Sequence, residues 1–549
     1  MKASSLGPAG LALAALLLVC VIAPPEVRGL GLAAAAFFVA LAVAVTSGAS
    51  AASPARIWIV MGLPPALLIS RCALAPGEAV EPTAVFFVAG FAGAAAAASA
   101  LAPDRLAGLY VAFAAFSGGR ALYETVWGLA GSASLLQAAD PGGVDPAVLN
   151  RLEQGRPYGG FATPAALGCF LAMTIPPVAA WALGKTGRLR ALGLAAAAVG
   201  TAGLIATRSV TAMAALAAAL ALASLRGRVS RRIVTGALAA IAIAVVGAGV
   251  VRPDAVFAPG RADSPWRLRA GNVRIALEEA DDHPLTGVGP GGYAEAFPQY
   301  RRAGDNESRH AHDLPAELIA EWGVPAGLAL SALFFWIFLS PLVALDKAAQ
   351  TFGSGLAVGL AAFAIHNLVD FTAFLPSLLL IAAVGRGLLA RPAPGARSGL
   401  PVRIGWTALA VTVCLAAAAS GLAREALFQA HEAAASADHA RAQALARRAG
   451  RIAPWDADPP QFSAGAALAA TPSEPAAALA AAERAVRAAP ARASARWSRA
   501  QARSVTGDAP GAYADLVEAS RLYPLKAEYA TQRDVLADAL RKASAGAPR

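Results

Sequence analysis

A dense group of titratable side chains lies in the segment SRHAHDLPAELIAEW, residues 308–322, which runs directly into an apolar stretch. Five imidazole and carboxylate side chains fall within a dozen positions: His310, His312, Asp313, Glu317 and Glu321. Asp313 and Pro315 are residue types that favour the start of a helix, so a helix is predicted to begin near residue 314. This helix would position the acidic and imidazole groups relative to one another.

The chemistry predicted for this segment is proton transfer. A histidine just before a helix lies at the positive end of the helix dipole, which disfavours imidazolium, so His310 and His312 are candidates for a general base. Glu317 and Glu321 lie one turn apart and share a helical face. Gly323 and Pro325 are predicted to break the helix before the next apolar stretch. The alternative is an interfacial helix whose charges lie among lipid headgroups.

Further ionisable residues lie beside or within apolar runs, where a charge is costly and therefore points to function. Arg208 is predicted in a tight turn between two spans, and Arg269 and Arg274 in a long outer loop. His366 and Asp370, four positions apart, are predicted to share one face of a helix. For each arginine, the alternative is a side chain that snorkels to the membrane interface.

Other kinds of site are not supported by the sequence. The HAH triplet offers two imidazoles but no third ligand at a diagnostic spacing, so no metal site is predicted. No GxSxG motif supports a serine triad, and no cofactor is predicted. The segment GVGPGG, residues 287–292, follows no strand and lacks a Lys-Ser/Thr ending. It is therefore interpreted as a turn, one through which a lipid diphosphate could approach the backbone.

The composition predicts an all-α polytopic membrane protein. The 549 residues are 57% hydrophobic and 15% charged, with a mean hydropathy of +0.54. Several apolar runs approach or exceed membrane-spanning length, which predicts about 12–13 transmembrane helices. The runs are 9–24, 29–47, 56–75, 83–102, 106–136, 160–183, 189–206, 209–225, 232–251, 316–345, 353–369, 372–389 and 403–422. The first is interpreted as an uncleaved span, with a signal peptide as the alternative.

Basic residues predict the orientation. Lys and Arg concentrate in the segments 185–190, 226–232 and 391–403, which are assigned to the cytoplasm, while 76–82 and 141–157 are acidic or mixed. The N-terminus is therefore predicted inside, and the loop of about 252–315 and everything after residue 422 outside. The net charge of +11 comes largely from inner loops and the tail, so nucleic acid is not a predicted partner.

The chain is predicted to have two parts, a membrane domain (1–422) and a helical tail (423–549). In the tail, helical segments end at Pro454, Pro490 and Pro524, close to the 34-residue period of tetratricopeptide helix pairs. This spacing favours a tetratricopeptide-like solenoid, which could bind a protein partner. The alternative is an irregular Ala-rich helical bundle.

Three segments give the chain a family resemblance. RAGNVRIALEEADDHPLTGVGPGGY (269–293), HAHDLPAELIAEWGVPAG (310–327) and YGGFATPAALGCFLAM (158–173) resemble motifs of the O-antigen ligase and polysaccharide polymerase group of bacterial inner-membrane glycosyltransferases. The resemblance covers about residues 1–420. Asp313 stands where the family commonly has Asn, and Val273 where it usually has Trp.

The resemblance implies metal-independent transfer of a glycan from a polyprenyl diphosphate carrier to an acceptor hydroxyl on the periplasmic side of the inner membrane. By position, His312 would be the essential histidine and Arg208 and Arg269 its cationic partners. His310, Asp313, Glu317, Glu321, Arg274, His366 and Asp370 are second choices, as substrate-binding residues. The implied partners are the lipid-linked donor, membrane lipids, and either a lipid A core or a growing glycan as acceptor. Whether the chain is a ligase or a polymerase stays open.

Two functions of other classes are alternatives. A transporter or flippase for lipid-linked glycans would also be polytopic, but it is expected to show internal repeats and charges near the membrane midplane. A non-catalytic membrane scaffold that displays the tail would not need the 310–321 cluster. The clustering of charges at one membrane face favours the transferase.

Overall fold

The structure is a computed structural model in which all described secondary structure is helical. The described residues are 7–24, 29–46, 103–139, 154–226, 264–344, 351–390, 400–470 and 473–545, with isolated positions at 94, 95, 98, 101, 149 and 152. Within these ranges there is no β-strand, in agreement with the all-α prediction.

The helices before residue 252 are α1 (Pro8–Ile22), α2 (Gly29–Thr46), α3 (Ala107–Tyr123), α4 (Leu129–Ala139), α5 (Pro164–Leu183), α6 (Gly187–Ala206) and α7 (Val210–Leu225). Those between residues 252 and 390 are α8 (Pro265–Asp282), α9 (Tyr293–Tyr300), α10 (Leu314–Trp322), α11 (Val324–Ala344), α12 (Phe352–His366) and α13 (Pro376–Leu388). The remaining helices are α14 (Leu400–Ala435), α15 (His439–Ile452), α16 (Asp458–Ala469), α17 (Pro475–Ala488), α18 (Ala493–Val505), α19 (Ala509–Leu522) and α20 (Ala527–Ala545).

Three of the described helices, α5, α6 and α11, are long and apolar enough to cross a membrane. Shorter apolar helices include α1, α7, α12 and α13. The predicted spans 56–75 and 232–251 lie outside the described residues, as does 83–102 apart from isolated positions. The chain therefore has a membrane-embedded character, and the total of about 12–13 spans stays a prediction.

Helix α12 lies at the centre of the apolar core and packs against α5, α7, α11 and α13. Its glycines, Gly355 and Gly359, face the backbone of α5, where a β-carbon at 359 would overlap the carbonyl oxygen of Met173. Small residues four apart allow two helix backbones to approach closely in a membrane. This close contact fixes the position of α12 relative to α5, and hence the position of the polar turn that follows α12.

The tail continues without a break from the membrane domain. Helix α14 spans both sides of the predicted boundary at 422 and packs against α2 as well as α15. As the sequence predicts, α15, α17 and α19 each end two residues before a proline, at Ile452, Ala488 and Leu522. The residue before each proline has an extended φ, because proline disfavours helical geometry there. The tetratricopeptide-like assignment stays a prediction.

Candidate functional site

A buried carboxylate, Asp370, lies at the centre of the predicted site. Its Oδ2 atom is 3.4 Å from Nη2 of Arg269 and 3.8 Å from Nε2 of His366. Its Oδ1 atom is 3.7 Å from Nδ1 of His312 and accepts a hydrogen bond from the amide of Phe371. The Asp370 side chain is 1% exposed. One anion thus faces three cationic or ionisable groups from three parts of the chain.

These neighbours control the charge of Asp370. Burial alone would raise the pKa of its carboxyl, but the contact from His312 and the charges of His366 and Arg269 lower that pKa to about 2. The separation of 3.7 Å between Oδ1 of Asp370 and Nδ1 of His312 is longer than a hydrogen bond, so the contact is electrostatic. Asp370 is therefore an anion at neutral pH.

The prediction that His366 and Asp370 share a helical face is wrong in its geometry. Helix α12 ends at His366, and the following residues form a turn. The Asn367 side chain stabilises this turn: its Nδ2 donates to the carbonyl of Phe363, and its Oδ1 accepts from the amide of Ala373. The turn, rather than a helix, brings Asp370 back towards His366.

His312 reaches Asp370 from a strained backbone. Its φ is 58°, in the left-handed region that is uncommon for residues other than glycine. The next residue, Asp313, accepts a hydrogen bond from the amide of Ala316 at 2.8 Å, which confirms the predicted start of α10. The amide of Leu314 donates to the carbonyl of Asn367. These two contacts hold the histidine against the Asp370 turn.

The other histidine of the HAH triplet, His310, has a different partner. Nδ1 of His310 lies 2.7 Å from Oε1 of Glu317, whose Oε2 accepts from the amide of Ala311. The His310 ring stacks on Phe371 at 4.4 Å, while the His312 ring meets the same phenyl edge-on at 4.7 Å. Glu317 therefore orients His310, and Phe371 separates the two imidazoles.

Buried carboxyl groups also line the contact between α8 and α10. Glu321 is 4% exposed, and Glu279 of α8 is 0% exposed with no hydrogen-bond partner for either carboxyl oxygen among the described residues. Burial raises the pKa of Glu279 well above its ordinary value, and the carboxylates of Glu321 and Glu317 raise it further. Glu279 is therefore held as a neutral acid over an extended pH range.

The glycine-rich segment is a turn, as predicted, but its amides are already used. The amides of Val288 and Gly289 donate to the carbonyls of Ala320 and Glu321 at the end of α10, and the amide of Gly292 donates to Gly289. Gly287 has a φ of 64° and lies so close to Glu321 that a side chain would overlap its backbone. The turn caps α10, and these three amides are not available to a diphosphate.

Two of the predicted site residues, Arg208 and Arg274, contact other partners than Asp370. Arg208 also has a left-handed φ, 50°, and its Nη1 donates to the carbonyl of Gln154. Arg274, five positions after Arg269 and therefore on a different face of α8, pairs with Glu278 at 2.7 Å and Asp305 at 2.6 Å. The structure therefore groups Arg269, but neither Arg208 nor Arg274, with Asp370.

Some residues of the site were not singled out from the sequence. Thr211, three residues after Arg208, places its hydroxyl 3.2 Å from Nε2 of His366, and Thr372 lies 3.1 Å from Nδ1 of the same ring. Trp266 lies under the Arg269 guanidinium at 5.8 Å. The sequence contained only weak signals for these residues. Thr211 and Thr372 are single hydroxyl residues near a charged residue, and Trp266 is one helical turn before Arg269.

His310, His312, Glu317 and Glu321 open into one cavity of about 2000 Å³. Apolar residues of α11 and α13 line one part of it, including Phe334, Ile337 and Leu379. Residues of α9 and of the tail line another part. No group of three or more His, Cys, Asp or Glu side chains in the described part of the chain is arranged to hold a metal ion. A polar, titratable site thus faces a space large enough for more than one small ligand.

Comparison with known proteins relates part of the chain to a described family. The sequence model of the O-antigen ligase family matches residues 195–331, which is about a quarter of the chain. The matched stretch contains Arg208, Arg269, His310, His312 and Glu317, and it ends before Asp370. No curated protein matches the chain. The match supports a membrane glycosyltransferase-like enzyme of the O-antigen ligase type.

Proposed function

We propose that this protein transfers a glycan from a polyprenyl diphosphate carrier to an acceptor hydroxyl at the periplasmic face of the inner membrane. The observation that carries the proposal is the convergence of His312, Arg269 and His366 on the Asp370 carboxylate beside the large cavity. The family match over residues 195–331 supports the same type of reaction. A lipid diphosphate is a suitable donor, because its leaving group brings the energy where no ATP is present.

His312 is the proposed general base. Its Nδ1 faces the Asp370 anion, which favours the tautomer with the proton on Nδ1 and leaves Nε2 able to accept a proton. The acceptor hydroxyl gives its proton to Nε2 while its oxygen bonds to the anomeric carbon of the donor sugar. The bond from that carbon to the diphosphate oxygen breaks, and its electron pair leaves with the carrier diphosphate.

Arginine is suited to the negative charge that develops on the leaving diphosphate, because its planar fork donates several hydrogen bonds to phosphate oxygens. Arg269 lies in the Asp370 cluster and is 24% exposed, so part of its guanidinium remains open. Arg208 is the second proposed phosphate ligand. Its left-handed backbone supports this role, since strained residues often occur at functional sites. It would have to leave the Gln154 carbonyl to bind substrate.

The proposal can be tested with the purified full-length protein in lipid nanodiscs, a polyprenyl-diphosphate glycan, and either a lipid A core or a carrier-linked glycan as acceptor. We expect transfer by the unmodified protein. His312→Ala and Arg269→Ala should each lower kcat by about 10²–10⁴-fold, the range measured for removal of a catalytic proton or charge partner.

The chain offers matched controls. His439 lies in the tail, and Arg267 is exposed two positions before Arg269 on α8. His439→Ala and Arg267→Ala should therefore retain activity. If the unmodified protein transfers nothing to any acceptor, the transferase proposal fails and the flippase or scaffold alternatives gain support.

A further inference from the structure

The cavity beside His312 is bounded by three different parts of the chain. One wall consists of apolar residues of α11 and α13, such as Ile337 and Leu379. A second contains the catalytic candidates His310 and His312. The third belongs to the tail and includes Trp455, Asp456, Gln461, Phe462 and Arg492. The tail is thus part of the cavity and not a separate appendage.

The tail wall has the side chains that saccharides require. Sugars present hydroxyls, which both donate and accept hydrogen bonds, and flat apolar C–H faces that pack on aromatic rings. Trp455 is half-buried beside α14, and Phe462 packs against His431 at 4.5 Å. Asp456 and Gln461 add a carboxyl and an amide. Burial raises the pKa of Asp456 to about 6, as expected for a carboxyl in a partly enclosed site.

The tail wall is held in place by charged contacts with the outer loop. Arg492 donates from Nε and Nη2 to the two carboxyl oxygens of Glu295 on α9, at 2.9 and 2.6 Å, and also pairs with Asp458. Arg301 donates to the Tyr523 hydroxyl at 2.6 Å. Bidentate arginine–carboxylate pairs fix orientation as well as position. The wall therefore keeps a defined distance from the catalytic candidates.

The two ends of the cavity differ in polarity, which separates the two substrates. A polyprenyl donor keeps its chain in the bilayer, so its lipid is expected at the apolar wall formed by α11 and α13. With that wall taken by the donor lipid, the saccharide part of the acceptor is expected to reach His312 along the tail wall, even where the acceptor has a lipid anchor of its own.

We propose that the tail forms the binding site for the acceptor saccharide, with Asp456 and Gln461 as hydrogen-bonding residues and Trp455 as a packing surface. This inference rests on the proposed transferase function and adds to it the location of the acceptor. The saccharide is either the core of lipid A or the end of a carrier-linked glycan, which share the same hydroxyl and C–H chemistry.

The experiment compares Asp456→Asn and Gln461→Ala with the unmodified full-length protein in nanodiscs. Lipid A core and carrier-linked glycan serve as acceptors in separate arms. Each variant should raise KM for the acceptor by about tenfold, equivalent to about 1.4 kcal/mol, without changing KM for the donor. Asp534→Asn is the matched control, because Asp534 is 67% exposed on α20, away from the cavity. It should leave both constants unchanged.

A second measurement does not depend on turnover. In the His312→Ala protein, a soluble core oligosaccharide should bind, and adding Asp456→Asn should weaken that binding by a similar factor. If the unmodified protein transfers glycan but neither constant for the acceptor changes in the variants, the acceptor assignment is wrong and the transferase proposal stands. Transfer only to polypeptide hydroxyls would also overturn the assignment of the tail as a saccharide-binding site. If no acceptor receives glycan, the transferase proposal fails, and the acceptor role of the tail fails with it.

Discussion

At the residue scale, Asp370 accounts for the geometry of the site better than any single cation does. Its two carboxyl oxygens have different neighbours: Oδ1 faces His312, while Oδ2 faces Arg269 and His366. A buried carboxylate would be unfavourable alone; the Arg269 guanidinium compensates its charge, and the two imidazoles add polar contacts. Asp370 would keep His312 in one tautomer and stabilise the imidazolium that forms when the base accepts a proton.

Asp370→Asn tests this role. The amide is isosteric and its oxygen can still accept from the amide of Phe371, so the turn should persist. The negative charge beside His312 is lost, so kcat should fall by about 10²–10⁴-fold while donor KM changes little. The measurement is transfer kinetics over a range of pH. Asp281→Asn, at an exposed position of α8, should behave like the unmodified protein, and an unchanged kcat in Asp370→Asn would limit Asp370 to a structural role.

Glu279 leads to a prediction about stability. Since its pKa is raised in the folded protein, the unfolded chain ionises first, above about pH 4.3, while the folded protein keeps the proton. The free energy of unfolding therefore falls as pH rises towards the raised folded pKa. Glu279→Gln removes this loss, so its thermal unfolding midpoint should exceed that of the unmodified protein at pH 8, with the difference shrinking towards pH 5.

The neighbouring residue is the control for this prediction. Glu278 pairs with Arg274 and Arg302 and is partly exposed, so Glu278→Gln should lower the midpoint at pH 8 or leave it unchanged. Equal midpoints of Glu279→Gln and the unmodified protein across this pH range would show that Glu279 is ionised in the folded state.

At the element scale, local sequence signals were sufficient to predict several helix ends. Asp313 and Pro315 correctly predicted the start of α10, and the prolines at 454, 490 and 524 the ends of three tail helices. Contacts between elements carry no local signal. The sequence placed Arg269 and Asp370 on the same side of the membrane, but their contact joins residues 101 positions apart, and the contact of Arg492 with Glu295 was not predicted.

The packing of α12 on α5 gives a prediction at this scale. A methyl group at Gly359 would overlap the carbonyl oxygen of Met173, so α12 would have to move. Gly359→Ala should therefore lower stability by about 1–3 kcal/mol, as overpacking in a core does, and should lower activity by displacing the turn that holds Asp370.

Gly353, in the first turn of the same helix, is the matched control. A β-carbon there would meet the end of the flexible Leu389 side chain at 3.4 Å and the Thr351 hydroxyl oxygen at 3.8 Å, so Gly353→Ala should be tolerated. Thermal unfolding in detergent and transfer assays measure both effects. Similar stability and activity of the two variants would show that the close approach of α12 to α5 is not essential.

At the scale of the whole molecule, the tail and the site must lie on the same side of the membrane. The structure supports this arrangement, because tail residues and His312 line one cavity and Arg492 binds Glu295 of α9. The side itself is predicted from the basic loops, which place both parts in the periplasm. If the tail were cytoplasmic, the proposed site would be cytoplasmic too, because the two are joined by these contacts.

Cysteine labelling of intact cells measures this orientation. Cys20, Cys169 and Cys414 are buried, so in a Cys72→Ser background the native thiols should react little with a membrane-impermeant maleimide. Ser504→Cys, at an exposed tail position, should react from outside. Thr186→Cys, in the predicted inner loop, should react only after the membrane is permeabilised. The reverse pattern would place His312 in the cytoplasm, where a periplasmic transfer could not occur, and the proposed function would have to be abandoned.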